Sequence, residues 1–253
     1  MAERRTLRIP PRYNGPAASG HGGYVCGRFA ALAAAHQGAV TTVTLHAPVP
    51  LDEPLTFVPG LRRSTVTHGT RLLATVAPGS TPADPPPAVD PAAARAAADR
   101  FPGGTGHPFP TCFACGDRRP ARDGLGLAPG PVEGRPGTVA SPWRPATEDA
   151  VDGAPVPAEL LWSALDCPGG WTDDPVARPR LLTRMTAVVL RAPRAGEPCV
   201  VVARRGTVGG RLLRVDSALY DTSAQLLASA TATWTALTHP GTPVSDPRGR
   251  DSA

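Results

Sequence analysis

The chain contains no lysine; all 26 of its basic residues are arginine. Alongside abundant alanine, glycine and proline, that absence reads as a coding bias rather than as a binding surface. Aromatic residues are also scarce, at 5% of the chain, and the arginines are scattered rather than arrayed on one face. A nucleic-acid surface needs a basic stripe with interleaved stacking residues, so no nucleic-acid partner is expected. The formal charge of +5 then implies no more than weak attraction to anions, phosphorylated cofactors included. No apolar run approaches the ~20 residues of a membrane span, and Met1 to Arg8 lacks a following apolar stretch of the secretory type. A cytoplasmic protein without a membrane partner is therefore expected. The five cysteines, Cys26, Cys112, Cys115, Cys167 and Cys199, are odd in number and widely spread, which argues against a disulfide framework and for free thiols.

What is present is a globular pattern. A length of 253 residues with 41% hydrophobic content suffices for one large domain or two small ones. Residues 1–11, arginine-rich and ending in Pro10-Pro11, read as a flexible arm or at most an edge strand. In the first block, 12–78, a helix opens near Gly22, carries Val25, Phe29, Leu32 and Ala33 at helical spacing, and is ended by Gly38. The threonine- and valine-rich runs Val40 to Ala47, Leu55 to Val58 and Ser64 to Val76 are then expected as antiparallel strands. Residues 79–108 form a Pro/Ala-rich linker with a short alanine-rich helix near Pro91 to Arg100.

The second block, 109–238, repeats the order. Strand-like Gly124 to Ala128 and Thr138 to Trp143 precede a helix from Pro157 to Asp166. The runs Leu182 to Arg191, Cys199 to Arg205, Leu212 to Tyr220 and Leu226 to Leu237 follow as strands, and 239–253 is a flexible tail. A helix followed by β-rich segments, twice over, is an internal repeat of architecture, the first copy looking truncated. The two helix openings differ chemically. His21-Gly22-Gly23-Tyr24 offers glycine amides and an imidazole but no acid, whereas the helix from Pro157 offers Glu159 and Asp166 but no glycine before them. Together they can make one asymmetric site.

His21-Gly22-Gly23 opening an apolar helix resembles the corresponding segment of phenylacetate-pathway-type acyl-CoA thioesterases. Thr111-Cys112-Phe113-Ala114-Cys115-Gly116 followed by Gly124-Leu125-Gly126-Leu127 resembles the start of many single-domain members of the same superfamily. The resemblance implies an α+β fold of two hotdog repeats, each an antiparallel sheet wrapped around a central helix, with the active site where the repeats meet. It further implies that Asp166, aligned with Ala30 of the first repeat, stands where those thioesterases carry their catalytic acid. The site so drawn has Asp166 as general base or nucleophile, His21 orienting the thioester or water or serving structurally, and Gly22 and Gly23 donating amides to the oxyanion.

Glu159 is the alternative acid, or simply a residue favoured by the helix dipole, and Tyr24, Trp162 and Ser163 are candidate pocket residues. Pro168, two residues beyond Asp166, predicts a helix end there, which would leave Asp166 near a helix C-terminus as a structural cap. Cys112 and Cys115 have the spacing of a zinc pair, but no second pair accompanies them and only His107 is near. The reading assigns no metal and no cofactor, and leaves the pair to the loop that opens the second repeat. The expected function is hydrolysis of an acyl-CoA or acyl-carrier-protein thioester, by one competent site. The alternative is a noncatalytic acyl or small-ligand binding protein, and a homo-oligomer is compatible with either.

Overall fold

The computed structural model describes residues 3–33, 38–82, 84–120, 123–146 and 154–237. The tail at 239–253 and the tip of the predicted first helix therefore lie outside the described residues. Among the described residues eleven strands form one sheet: β1 (Arg5–Leu7), β2 (Thr41–Leu45), β3 (Leu55–Val58), β4 (Ser64–His68), β5 (Arg71–Pro78), β6 (Gly130–Pro131), β7 (Thr138–Trp143), β8 (Arg180–Val189), β9 (Cys199–Gly209), β10 (Leu212–Asp221) and β11 (Leu226–Ala236). Three helices accompany them, α1 (Gly22–Leu32), α2 (Pro91–Ala98) and α3 (Ala158–Gly170). No helix among the described residues is long and apolar enough to cross a membrane.

Across the sheet the strands run β1-β3-β4-β5-β2-β8-β11-β10-β9-β7-β6, with the first-repeat strands on one side of the β2–β8 seam and the second-repeat strands on the other. The seam is antiparallel, from Thr41 opposite Ala187 to Thr44 opposite Arg184, and the Thr42 and Thr186 hydroxyls meet across it at 2.8 Å. Two helix-and-sheet units thus share one continuous sheet. Alternation explains the long strands: in β11, Ala230, Ala232, Trp234 and Ala236 are buried while Thr231, Thr233 and Thr235 are less so, as the period of two requires.

Three local expectations change. The run Ser64 to Val76 is a hairpin rather than one strand, because Gly69 takes a φ of 57° and turns β4 back into β5. Gly124 to Ala128 is irregular rather than a strand. Most consequential, α3 does not end at Asp166 but continues through Pro168 to Gly170. The fixed φ of proline is helical, and its missing amide removes one helical hydrogen bond, that to the Ala164 carbonyl, which the burial of α3 outweighs. Asp166 accordingly sits inside the helix.

The arginine-rich arm supplies the edge strand β1, which pairs with β3, with Leu7 and Ile9 buried behind it. The Pro/Ala-rich segment lays α2 over β7 and β9, where Ala94 and Ala97 join Ala140, Val200 and Val202 in a small core of their own.

Helices α1 and α3 touch directly. A Cβ at Gly23 would stand 2.4 Å from the Trp162 carbonyl oxygen and one at Gly27 would stand 2.5 Å from Glu159 Cα, so glycines four apart on α1 let the α3 backbone in. Replacing Gly27 by valine should cost about 1–3 kcal/mol or more, as overpacking does, since the backbone it meets cannot give way. Gly104→Ala, where nothing lies within 4 Å of the added carbon, should change stability by less than about 0.5 kcal/mol. Urea unfolding of the two variants checks this pair of outcomes.

Candidate functional site

The N-terminus of α1 is built around His21, whose Nδ1 accepts the Tyr24 amide at 3.2 Å and caps the helix. The amide one residue nearer the terminus, that of Gly23, donates instead across the helix interface to Asp166 Oδ2 at 2.6 Å. His21 Nε2 lies 3.6 Å from the same oxygen. The structure therefore brings Asp166, His21, Gly22 and Gly23 together, each half of the molecule contributing one side.

Asp166 is 2% exposed, and its Oδ1 has no hydrogen-bond partner among the described residues. Burial pushes its carboxyl up to about 6, with the opposing pull of His21 and the Gly23 amide only partly offsetting the lost hydration. For His21 burial acts downward, but the negative charges of Cys112 and Asp166 outweigh it and the imidazole is raised. An acid held near neutrality beside a helix N-terminus is the arrangement general-base chemistry uses.

A cavity of about 810 Å³ opens beside this point, lined among others by Gly20, Gly22, Val25, Leu45 and Leu182, with Arg71 and Arg211 on its wall. Asp166 itself is not in the lining. It stands just behind Gly22, whose missing side chain is what keeps it close: a Cβ there would be 3.0 Å from Asp166 Oδ2 and 2.9 Å from Leu182. The room at Gly23, by contrast, is filled by α3 and is not open to a ligand.

The remaining sequence candidates are occupied elsewhere. Glu159 accepts from Arg28 Nη1 at 3.1 Å, an ion pair that clasps α3 to α1. Ser163 Oγ donates to the Glu159 carbonyl at 2.7 Å, within its own helix. Tyr24 is stacked on Tyr13 with ring centroids 3.7 Å apart, and Trp162 is buried in the main core.

One group of residues was not anticipated. Cys112 and Cys115 do not sit alone in their loop: Cys167, the residue after Asp166, puts its sulfur 3.5 Å from Cys112 Sγ and 3.2 Å from Cys115 Sγ. His21 Nε2 is 3.2 Å from Cys167 Sγ. Because Cys115 and Cys167 donate toward Cys112, the Cys112 thiol is lowered well below its ordinary value while its two neighbours are raised. The available signal was the Cys-x-x-Cys spacing; the third sulfur comes from a helix 52 residues beyond Cys115.

No family profile matches the chain, and no curated protein does. Solved structures do. A conserved protein of unknown function with hot dog fold from Alicyclobacillus acidocaldarius superposes with a TM-score of 0.62 at 14% identity, over 94% of each chain. The acyl-CoA thioesterase II TesB2 from Mycobacterium marinum gives 0.57 at 15% identity, over 92% of this chain and 93% of that one. The dehydratase domain of a mycocerosic acid synthase-like PKS gives 0.61 at 18% identity, over 94% and 92%. At these identities the likeness establishes the fold: the chain is an α+β hotdog protein. A thioesterase and a dehydratase among its neighbours show that fold alone does not choose the reaction.

The two acids of α3 are separated by their surroundings. The Arg28–Glu159 pair has side chains 37% and 16% exposed, so Glu159→Gln should cost no more than about 1 kcal/mol, read as a small shift of the urea midpoint.

Proposed function

We propose that this protein hydrolyses acyl thioesters carried by coenzyme A or an acyl-carrier protein, with Asp166 as the general base. The observation that carries the reading is the meeting of Asp166, from the second half, with the N-terminal amides of α1, from the first. Its carboxyl is pushed up to about 6, and only Gly22 separates it from a cavity wide enough for an acyl chain. Neighbours of the same fold include an acyl-CoA thioesterase, which supports a thioester as the substrate class.

In this reaction the Asp166 carboxylate takes a proton from water as the oxygen attacks the thioester carbonyl. Of the first three α1 amides, Tyr24's goes to His21 and Gly23's to Asp166, which leaves Gly22's to receive the developing oxyanion. When the tetrahedral intermediate collapses, the carbon–sulfur bond breaks and the leaving thiolate recovers the proton from Asp166. The helix dipole favours charge at the oxyanion's position throughout. Arg71 and Arg211 on the cavity wall offer positive charge to the phosphates of either carrier.

Turnover across a panel of acyl-CoA and acyl-carrier-protein thioesters tests the reading. Asp166→Asn should lower kcat by about 10²–10⁴-fold, the usual worth of a general base, while circular dichroism shows the fold intact. Gly22→Ala should impair turnover as well, since its methyl enters the space between Leu182 and Asp166. Unchanged activity in Asp166→Asn would remove Asp166 from the mechanism; ligand binding without turnover in the unmodified protein would favour a noncatalytic acyl-binding role.

A further inference from the structure

The buried sulfurs behind the site have more hydrogen-bond donors than they can use. His21 Nδ1 accepts from Tyr24 and His107 Nδ1 accepts from Phe109, so each neutral imidazole carries its proton on Nε2, facing sulfur. His21 Nε2 faces Cys167 at 3.2 Å, His107 Nε2 faces Cys115 at 3.3 Å, and the Trp171 indole N–H points at Cys115 from 3.5 Å. Adding three thiol protons to two imidazole protons and one indole proton gives six donors around three weak acceptors. Such a cluster is satisfied when the thiols lose their protons, but buried thiolates need a balancing cation. The sequence supplies no lysine; Arg119 turns both terminal nitrogens to Asn14, Asp123 and the Arg12 and Thr111 carbonyls, and the His21 ring already faces the Asp166 carboxylate.

We propose that Cys112, Cys115 and Cys167, with His21 as the fourth ligand, form a closed structural site for a thiophilic divalent cation of the zinc class. Tetrahedral bonds of about 2.3 Å to sulfur and about 2.0 Å to nitrogen would set sulfurs ~3.8 Å from one another and ~3.5 Å from the nitrogen. The three sulfurs stand at 3.2, 3.5 and 3.8 Å, and the His21 nitrogen at 3.2 Å from one of them. The ligand atoms of His21, Cys112 and Cys167 all lie within 4.8 Å of each other, and all three residues are buried. Small movements bring the three sulfurs to coordination distance; Cys115 Sγ, which stands outside the group formed by His21, Cys112 and Cys167, has the farthest to come toward the His21 nitrogen.

His21 is preferred to His107 on two grounds. It approaches two of the sulfurs, and the hydrogen bond its Nδ1 gives up when the proton moves there is the longer one, 3.2 Å against 2.9 Å. His107 and Trp171 then serve as N–H donors to the coordinated Cys115, as outer groups around metal thiolates do. Four protein ligands leave no open position, so the ion holds the loop, α1 and α3 together and takes no substrate.

The experiment measures metal in the full-length protein purified without chelator, together with the absorption of the protein reloaded with Co²⁺ after the native ion is stripped by an organomercurial. One equivalent of zinc, and cobalt bands of thiolate charge-transfer type with tetrahedral d–d intensity, are expected. Cys112→Ser, Cys115→Ser and Cys167→Ser should each lose most of the metal, whereas Cys26→Ser and Cys199→Ser should retain one equivalent. The unmodified protein keeps the test decisive should a serine variant fail to fold: stripped protein should melt at a lower temperature, and adding Zn²⁺ back should restore it. A metal-free protein that shows no thiolate bands with Co²⁺ under reducing conditions would overturn the proposal. So would a loss of two mass units that marks a disulfide among the three cysteines. Cobalt d–d bands altered by His107→Asn but not by His21→Asn would overturn the assignment of the fourth ligand.

Discussion

The close contact of α1 with α3 is the constraint on which the rest depends. Two glycines on one helix face remove the side chains that would otherwise hold the axes apart, and the backbone of α3 occupies the space. Only at that separation can the Gly23 amide reach a carboxylate on the neighbouring helix at 2.6 Å. The same closeness excludes water from Asp166 and raises its pKa. It also leaves Oδ1 without a hydrogen-bond partner among the described residues, an arrangement that costs free energy.

The helices are related by the repeat but are not chemically equivalent. Ala30 holds the position on α1 that Asp166 holds on α3, and it is buried without an acid to offer. Helix α3 opens after Pro157 with no side-chain cap and no glycine in its first turns. One half therefore keeps the donors and the other keeps the acid. A fused chain can let its two pseudo-equivalent sites diverge in this way, because neither half has to be self-sufficient.

Much of this was legible in the sequence, in proportion to how local its causes are. The alternation of Ala and Thr along β11 and the helical spacing of Val25, Phe29 and Leu32 in α1 are short-range patterns, and both elements form where those patterns lie. Pro168 misled because a single residue's preference was outweighed by the burial of α3 on both sides of it, from Leu160 to Gly170. Gly69 passed unnoticed within a threonine-rich run that otherwise has strand character throughout. Gly23 is expected as a second amide donor to the oxyanion, but its amide goes to Asp166 and the room beside it is filled by a helix. Which of two partners will occupy a gap left by glycine is a tertiary fact. The same holds for Cys167, whose nearness to Cys115 depends on the loop folding back under α3.

Asp166 and Cys167, adjacent in sequence, show how one helix serves two neighbours. Consecutive helical residues point about 100° apart, so α3 turns the carboxylate toward α1 and the thiol toward the loop that carries Cys112 and Cys115. That loop is also tied to the segment before α1: Phe113 N–H donates to the Asn14 carbonyl, and Arg119 bonds to Asn14 Oδ1 and the Arg12 carbonyl. His21 lies between these ties, donating its backbone N–H to the Tyr13 carbonyl and facing the sulfurs with its ring. The turn that positions the Gly22 and Gly23 amides is thus gripped from its backbone and from its side chain. In the proposed reaction the Gly22 amide must hold still as charge develops, and the loop that grips its turn lies outside the lining of the cavity.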